Sequence, residues 1–199
     1  MPPFPSAYFP SILYLKILNN HANAEVDLHE NFVKQSIRNR CEILTANGKL
    51  KLIVPIKHDR STKLSTRQIQ IDYTEPWQMT HWRAIHSAYA NSPYFEAYET
   101  EIKDCILTRH DYLFEKNNVI LNTIGTLLDI SFERKFSESY QPTDSVDYRS
   151  YDFLKPTENT KKYQQVFSYE NPFQPNLSII DLLFNEGPFT RNWLFTNQK

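Results

Sequence analysis

The chain has 199 residues, 40% of them hydrophobic and 23% charged, a balance that fits one globular domain long enough to bury a core. Its formal net charge is −1, so no global field draws it to nucleic acid or to an anionic membrane. The three glycines, Gly48, Gly125 and Gly187, lie far apart, which excludes the clustered-glycine phosphate loops of dinucleotide and P-loop folds.

The N-terminal run Met1-Pro2-Pro3-Phe4-Pro5 has no basic start and no apolar stretch, so it does not read as a signal peptide. Apolar residues from Ile12 to Leu18, after Ser11 as N-cap and before Asn19-Asn20, predict a helix. Residues 25–29 alternate and predict a short strand. Residues 41–45 and 50–56 are apolar runs around Asn47-Gly48, a hairpin signature. A charged loop follows at 57–66, with Asp59, Arg60 and Lys63, and then a half-buried strand at 68–73.

Pro76 suits the first turn of a helix running to about Asn91 and ended by Ser92-Pro93. Further helices are expected at 95–107 and 112–128, the last with an apolar stripe of Leu113, Asn117, Ile120, Leu121, Ile124, Leu127 and Leu128. Residues 132–136 and 166–169 read as weaker strands. Residues 142–160, rich in Asp, Ser, Pro and Tyr, read as a mobile loop. A final helix is capped by Asn176 or Ser178 and stopped at Gly187-Pro188. The expected fold is therefore α/β: a single domain, residues 1–199, with a mixed central sheet flanked by helices.

Cys41 and Cys105 form neither a CxxC pair nor a zinc spacing, and two cysteines in a chain of this size indicate a reduced, cytoplasmic protein. No apolar run approaches a membrane span. His29 and Glu30 are adjacent on an expected strand and point to opposite faces, so no metal site is assigned. Neither GxSxG nor a protease-type cysteine context is present.

Three polar clusters carry the candidate chemistry. His29, Glu30, Asn31, Lys34, Gln35, Arg38, Asn39 and Arg40 form the densest. Lys34, Arg38 and Arg40 supply cations for a phosphate or carboxylate, and Asn31, Gln35 and Asn39 supply amides that read hydroxyls or sugar oxygens. The second surrounds His81, with Trp77, Trp82, Arg83, Ile85, His86 and Tyr89 on one expected helix. His29 and His81 are the candidate proton-transfer groups, since histidine titrates near neutral pH. In the third, Asp181 sits mid-helix among apolar neighbours and needs a partner such as Arg38 or Arg40, either as structure or to orient that arginine.

At these residues the sequence resembles the WbqC-like family of bacterial proteins. The matching stretches are Ala7-Tyr8-Phe9-Pro10, His29-Glu30-Asn31, Lys34-Gln35-Ser36-Ile37-Arg38-Asn39-Arg40-Cys41, Asn47-Gly48 and Val54-Pro55. They continue with Trp77, His81-Trp82-Arg83 and Ser92-Pro93-Tyr94-Phe95-Glu96, and end with Asn176-Leu177-Ser178 and Asp181-Leu182-Leu183-Phe184-Asn185-Glu186-Gly187-Pro188. Members of that family occur with genes for surface polysaccharide and O-antigen assembly, and a glycine-transferring role has been suggested for some.

The resemblance implies a transferase of glycoconjugate biosynthesis, moving an aminoacyl or acyl group to an amino sugar. Its small-molecule substrate would be a nucleotide sugar or an acyl donor, its partners other glycan-biosynthesis proteins, and it names no cofactor. The alternatives are a sugar-binding scaffold of a biosynthetic complex and a nucleotidyl-transfer enzyme. Family members often begin with an apolar strand and His-Gln-Pro ahead of Tyr-x-Pro. Here Met1-Pro2-Pro3-Phe4-Pro5 stands in that place, so the histidine is absent. Either the first strand is lost or the start lies upstream, because proline cannot donate to a ladder.

Overall fold

In a computed structural model of the chain, which describes residues 2–57, 63–132, 134–140, 142–143, 146–156 and 161–195, the N-terminal prolines do not prevent pairing. Pro3–Phe4 forms strand β1 after all, at the edge of a sheet, where the prolines need supply no amide: the Glu25 and Asp27 amides donate to the carbonyls of Pro2 and Phe4. Loss of the first strand, one of the two alternatives read from the prolines, does not occur. Helix α1 (Ile12–Asn19) follows, its first turn capped by the Ser11 hydroxyl, which accepts from the Tyr14 amide. Strand β2 is only Glu25–Val26, shorter than the expected 25–29, because the Asp27 carboxylate accepts from the His29 amide and turns the chain.

Strands β3 (Arg40–Thr45) and β4 (Gly48–Ile53) form the expected antiparallel hairpin. Thr45 faces Gly48, so the two-residue connection is Ala46-Asn47, and Gly48 itself opens β4 at φ +95°. Strands β5 (Ile56–Lys57) and β6 (Gln70–Ile71) pair antiparallel. The strand expected over 68–73 shrinks to β6, since Thr66–Gln68 winds into a 3-10 turn boxed by Ser65 and Gln68. Asp59 and Arg60 of the expected charged loop lie outside the described residues, as do residues 144–145 and 157–160 of the expected loop at 142–160.

Helices α2 (Trp77–Tyr89), α3 (Phe95–Leu107) and α4 (Leu113–Leu128) follow the sequence expectation closely. On α4 the buried side chains are the predicted stripe, with Leu127 only partly covered and Lys116 added. The Lys116 ammonium is fully buried and donates to the carbonyls of Cys105, Ile106 and Thr108, closing the C-terminal end of α3.

Strand β7 (Lys135–Phe136) pairs parallel with β2, giving the order β1-β2-β7. Residues 166–169 are turns, not a strand: the Ser168, Glu170 and Asn171 amides bond back to Gln165 and Phe167, and Ser-Tyr-Glu-Asn-Pro is turn chemistry. Helix α5 (Ile179–Glu186) has its N-cap at Ser178 and its stop at Gly187, as expected. Sequence reading missed α6 (Thr190–Phe195). Pro188 ends α5 and at the same time opens the next helical turn, a position where its absent N–H costs nothing.

The α/β single-domain expectation holds, with the strands spread over one parallel and two antiparallel sheets. Residues 179–185 are buried without exception, so α5 is the centre of the core. It is tied to the N-terminal segment, where the Ile12 and Ile179 amides bond to Leu177 and Pro10, and to β3, where the Ser178 amide bonds to Glu42. Cys41 and Cys105 are buried thiols with no disulfide. Among the described residues no helix is long and apolar enough to cross a membrane.

Candidate functional site

In open parallel sheets the chain leaves each strand at its carboxyl end, and the loops there are free to hold a ligand. Here β2 runs into Asp27, His29, Glu30 and Asn31, and β7 into Ser137 and Tyr140. These two loops, with the 3-10 turn at Tyr148–Ser150, enclose an open cleft of about 390 Å³. His29, Glu30, Asn31 and Val33 line one side; Tyr140, Asp147, Arg149 and Ser150 line the other.

Buried charge pairs hold the loops together. One Asp27 oxygen accepts from the His29 amide and the Ser137 hydroxyl, both at 2.8 Å, and the other from Arg149 at 2.6 Å. Arg149 also forks onto Asp147, whose carboxyl is held below the usual range by those hydrogen bonds. Arg38 makes a two-pronged pair with Glu30, at 2.8 and 2.5 Å, and donates to the Arg149 carbonyl at 2.8 Å. Burial pushes the Glu30 carboxyl up, against the pull of Arg38.

The predicted site residues separate in this geometry. His29 and Asn31 line the cleft. The His29 Nε2 atom is buried and has no hydrogen-bond partner among the described residues. Lys34 and Gln35 are exposed on the adjoining turn, with Gln35 at φ +58°. Arg38 is buried and held by Glu30, so it frames the cleft instead of reaching into it. Asn39 is buried and donates to the Val54 carbonyl, and Arg40 opens β3, half-buried with its Nε unpartnered among the described residues.

His81 lies outside the cleft. Its Nδ1 and the Tyr8 hydroxyl are hydrogen-bonded at 2.9 Å, and the ring also bonds the Ile53 carbonyl. Burial pulls its pKa down to about 4, opposed in part by that carbonyl. Asp181 is also remote, and neither arginine reaches it. Its fully buried carboxylate accepts from Tyr89 at 2.8 Å, Tyr163 at 2.5 Å and Gln165 at 3.2 Å, and burial raises its pKa against those three bonds. The expected Asp181 pairing with Arg38 or Arg40 is thus replaced by two tyrosines and an amide.

Sequence reading missed Asp27, Tyr140, Asp147, Arg149 and Ser150. The available signal was the Asp147-Tyr148-Arg149 run inside the Asp- and Ser-rich stretch, whose opposite charges one residue apart favour a turn closed by its own side chains.

A family model described as the WbqC-like protein family matches residues 6–161 and 152–192. The uncharacterized protein Rv1507c of Mycobacterium tuberculosis is 27% identical over 197 aligned residues, covering 82% of this chain and 83% of that one. No solved structure matches.

Proposed function

The chain belongs to the WbqC-like protein family, and from that premise we propose that it is a transferase of bacterial surface-polysaccharide or glycoconjugate biosynthesis, acting in the cytoplasm on an amino sugar. The group moved is aminoacyl, such as glycyl, or acyl. The observation that carries this reading is His29, whose buried Nε2 has no partner among the described residues, in the lining of an open cleft at the carboxyl ends of parallel strands.

In the reaction, the sugar amine attacks the carbonyl carbon of a thioester donor, a C–N bond forms and the C–S bond breaks. The amine proton passes to His29 Nε2 and then to the departing thiolate. His81 has no part in this step, since its ring is already bonded and is too weak a base at about 4. Arg38 fixes Glu30 and the Arg149 backbone, and so shapes the loop that carries His29. A nucleotidyl-transfer reading has less support, because the described residues of the cleft include no lysine and their arginine is already paired with carboxylates.

The test is amide formation, followed by mass spectrometry, on mixing the protein with amino sugars or their nucleotide-linked forms and glycyl or acyl thioesters. His29→Ala is expected to lower the rate about 10²- to 10⁴-fold, the usual contribution of a general base, while Arg83→Ala on the exposed face of α2 leaves it unchanged. Sugar binding without product for any donor would instead favour a non-catalytic sugar-binding protein of a biosynthetic complex. Exposed Tyr140 at the cleft is the observation that suits that reading.

A further inference from the structure

The charges around the cleft are already matched to one another before a ligand arrives. Arg38 is held by Glu30, and Arg149 by Asp27 and Asp147. Three carboxylates therefore face two guanidinium groups, and one negative charge is left over among the described members of this network. A phosphate needs donors that are not already forked onto carboxylates. Asp147 is the most open of the three acids, its side chain 36% exposed against 1% for Asp27 and 6% for Glu30. Arg149 bonds both its oxygens, but a carboxylate oxygen accepts more than one donor, so this partly exposed carboxylate can take an ammonium as well.

The opposite requirement, an apolar platform, is met by Tyr140. Its ring lies 4.5 Å from the Arg149 guanidinium, which fixes it from one side and leaves it 54% exposed. A fixed, half-open aromatic ring suits the C–H face of a sugar. Asn31 and Ser150 add an amide and a hydroxyl on the two sides of the cleft, suited to sugar hydroxyls.

We infer that this cleft is an amino-sugar subsite in which Tyr140 stacks on the ring, Asp147 holds the protonated amine and phosphate is turned away. The inference rests on the amino-sugar reading above and adds the residues that select the substrate. Recognition and activation are then divided: Asp147 binds the ammonium form, which loses one proton to water to become the nucleophilic amine, and His29 takes the second proton as the C–N bond forms. Both specificity residues come from the 140–150 segment, not from the basic stretch at 34–40.

Isothermal titration of the intact protein with glucosamine, N-acetylglucosamine and inorganic phosphate near neutral pH tests this. Glucosamine is expected to bind about two- to fivefold more tightly than its N-acetyl form, as for one partly exposed charge pair, and phosphate is expected not to compete. Asp147→Asn keeps the side-chain oxygen that caps the Arg149 amide, and should bring the two sugars to similar affinity. Tyr140→Ala, at an exposed position, should weaken both. Equal affinity for the two sugars, with both weakened by Tyr140→Ala, would overturn the charge selection and leave the sugar site standing. Displacement of glucosamine by phosphate would overturn the inference, and binding of neither sugar would overturn it together with the reading it rests on.

Discussion

Asp181 shows how a carboxylate is kept inside an apolar helix without a cation. Tyr89 bridges the Leu44 amide and the carboxylate, and Tyr163 and Gln165 bring the segment before α5 onto the same group. Removing the acid strands two buried hydroxyls, each costing about 1–3 kcal/mol. Asp181→Ala is therefore expected to destabilise by about 3 kcal/mol in urea titration, and Asp181→Asn by less, since its carbonyl oxygen still accepts. His81 has the opposite environment and a pH signature. Its folded pKa of about 4 lies below the ordinary 6.5, so between those values the unfolded state binds more protons and stability falls as pH drops. The full effect is about 3 kcal/mol. Glu30 and Asp181, whose pKa values are raised, act in the other direction, so the measure is the difference between wild type and His81→Gln from pH 7 to 4. A difference that does not change with pH would refute the assignment.

At the scale of elements, two glycines mark chain reversals of different kinds. Gly48 sits at φ +95° with open space where a Cβ would stand, so Gly48→Ala meets backbone strain alone, about 1–2 kcal/mol. Gly187 combines φ +53° with the Tyr94 ring, which a Cβ built there would overlap. Gly187→Ala must move that ring as well, and should cost about 3 kcal/mol or more by denaturant midpoint. The sequence marked both positions because a turn residue acts locally. It failed at residues 166–169, where apolar content resembled a strand but no neighbouring edge is paired with it. At 25–29 and 68–73 it placed a strand correctly and overran it, since the length of a strand is set by its partner and not by its own residues.

For the whole molecule, the network of Asp27, Glu30, Arg38, Asp147 and Arg149 joins β2, the loop after β7 and the turn at 148–150. Removing one member of a buried ion pair leaves an uncompensated charge. Arg38→Ala is expected to destabilise by about 3–5 kcal/mol in guanidinium titration, whereas Arg83→Ala on the exposed face of α2 should stay within about 0.5 kcal/mol. If Arg38→Ala kept full stability and lost only ligand binding, Arg38 would be a ligand contact and not part of the frame. Conservative repair supports the distinction: pairing Arg38→Met with Glu30→Leu should recover much of the stability, because an apolar pair of similar volume replaces the ions.

The sequence by itself determined helices α1 to α5, the Ser11 cap, the stop at Gly187, the hairpin, the α/β class and the family resemblance. All of these depend on neighbours within a few residues or on matching motifs in order, so they are written locally. Only the tertiary structure decided which polar residues face the cleft. Arg38 and Asp181 look reactive in the sequence, yet one is closed by Glu30 and the other by two tyrosines. Asp147 and Arg149 look like ordinary loop residues, yet folding brings them more than a hundred positions back to β2. Burial and charge pairing are properties of the assembled environment, and a linear pattern records the groups without recording which of them have already met.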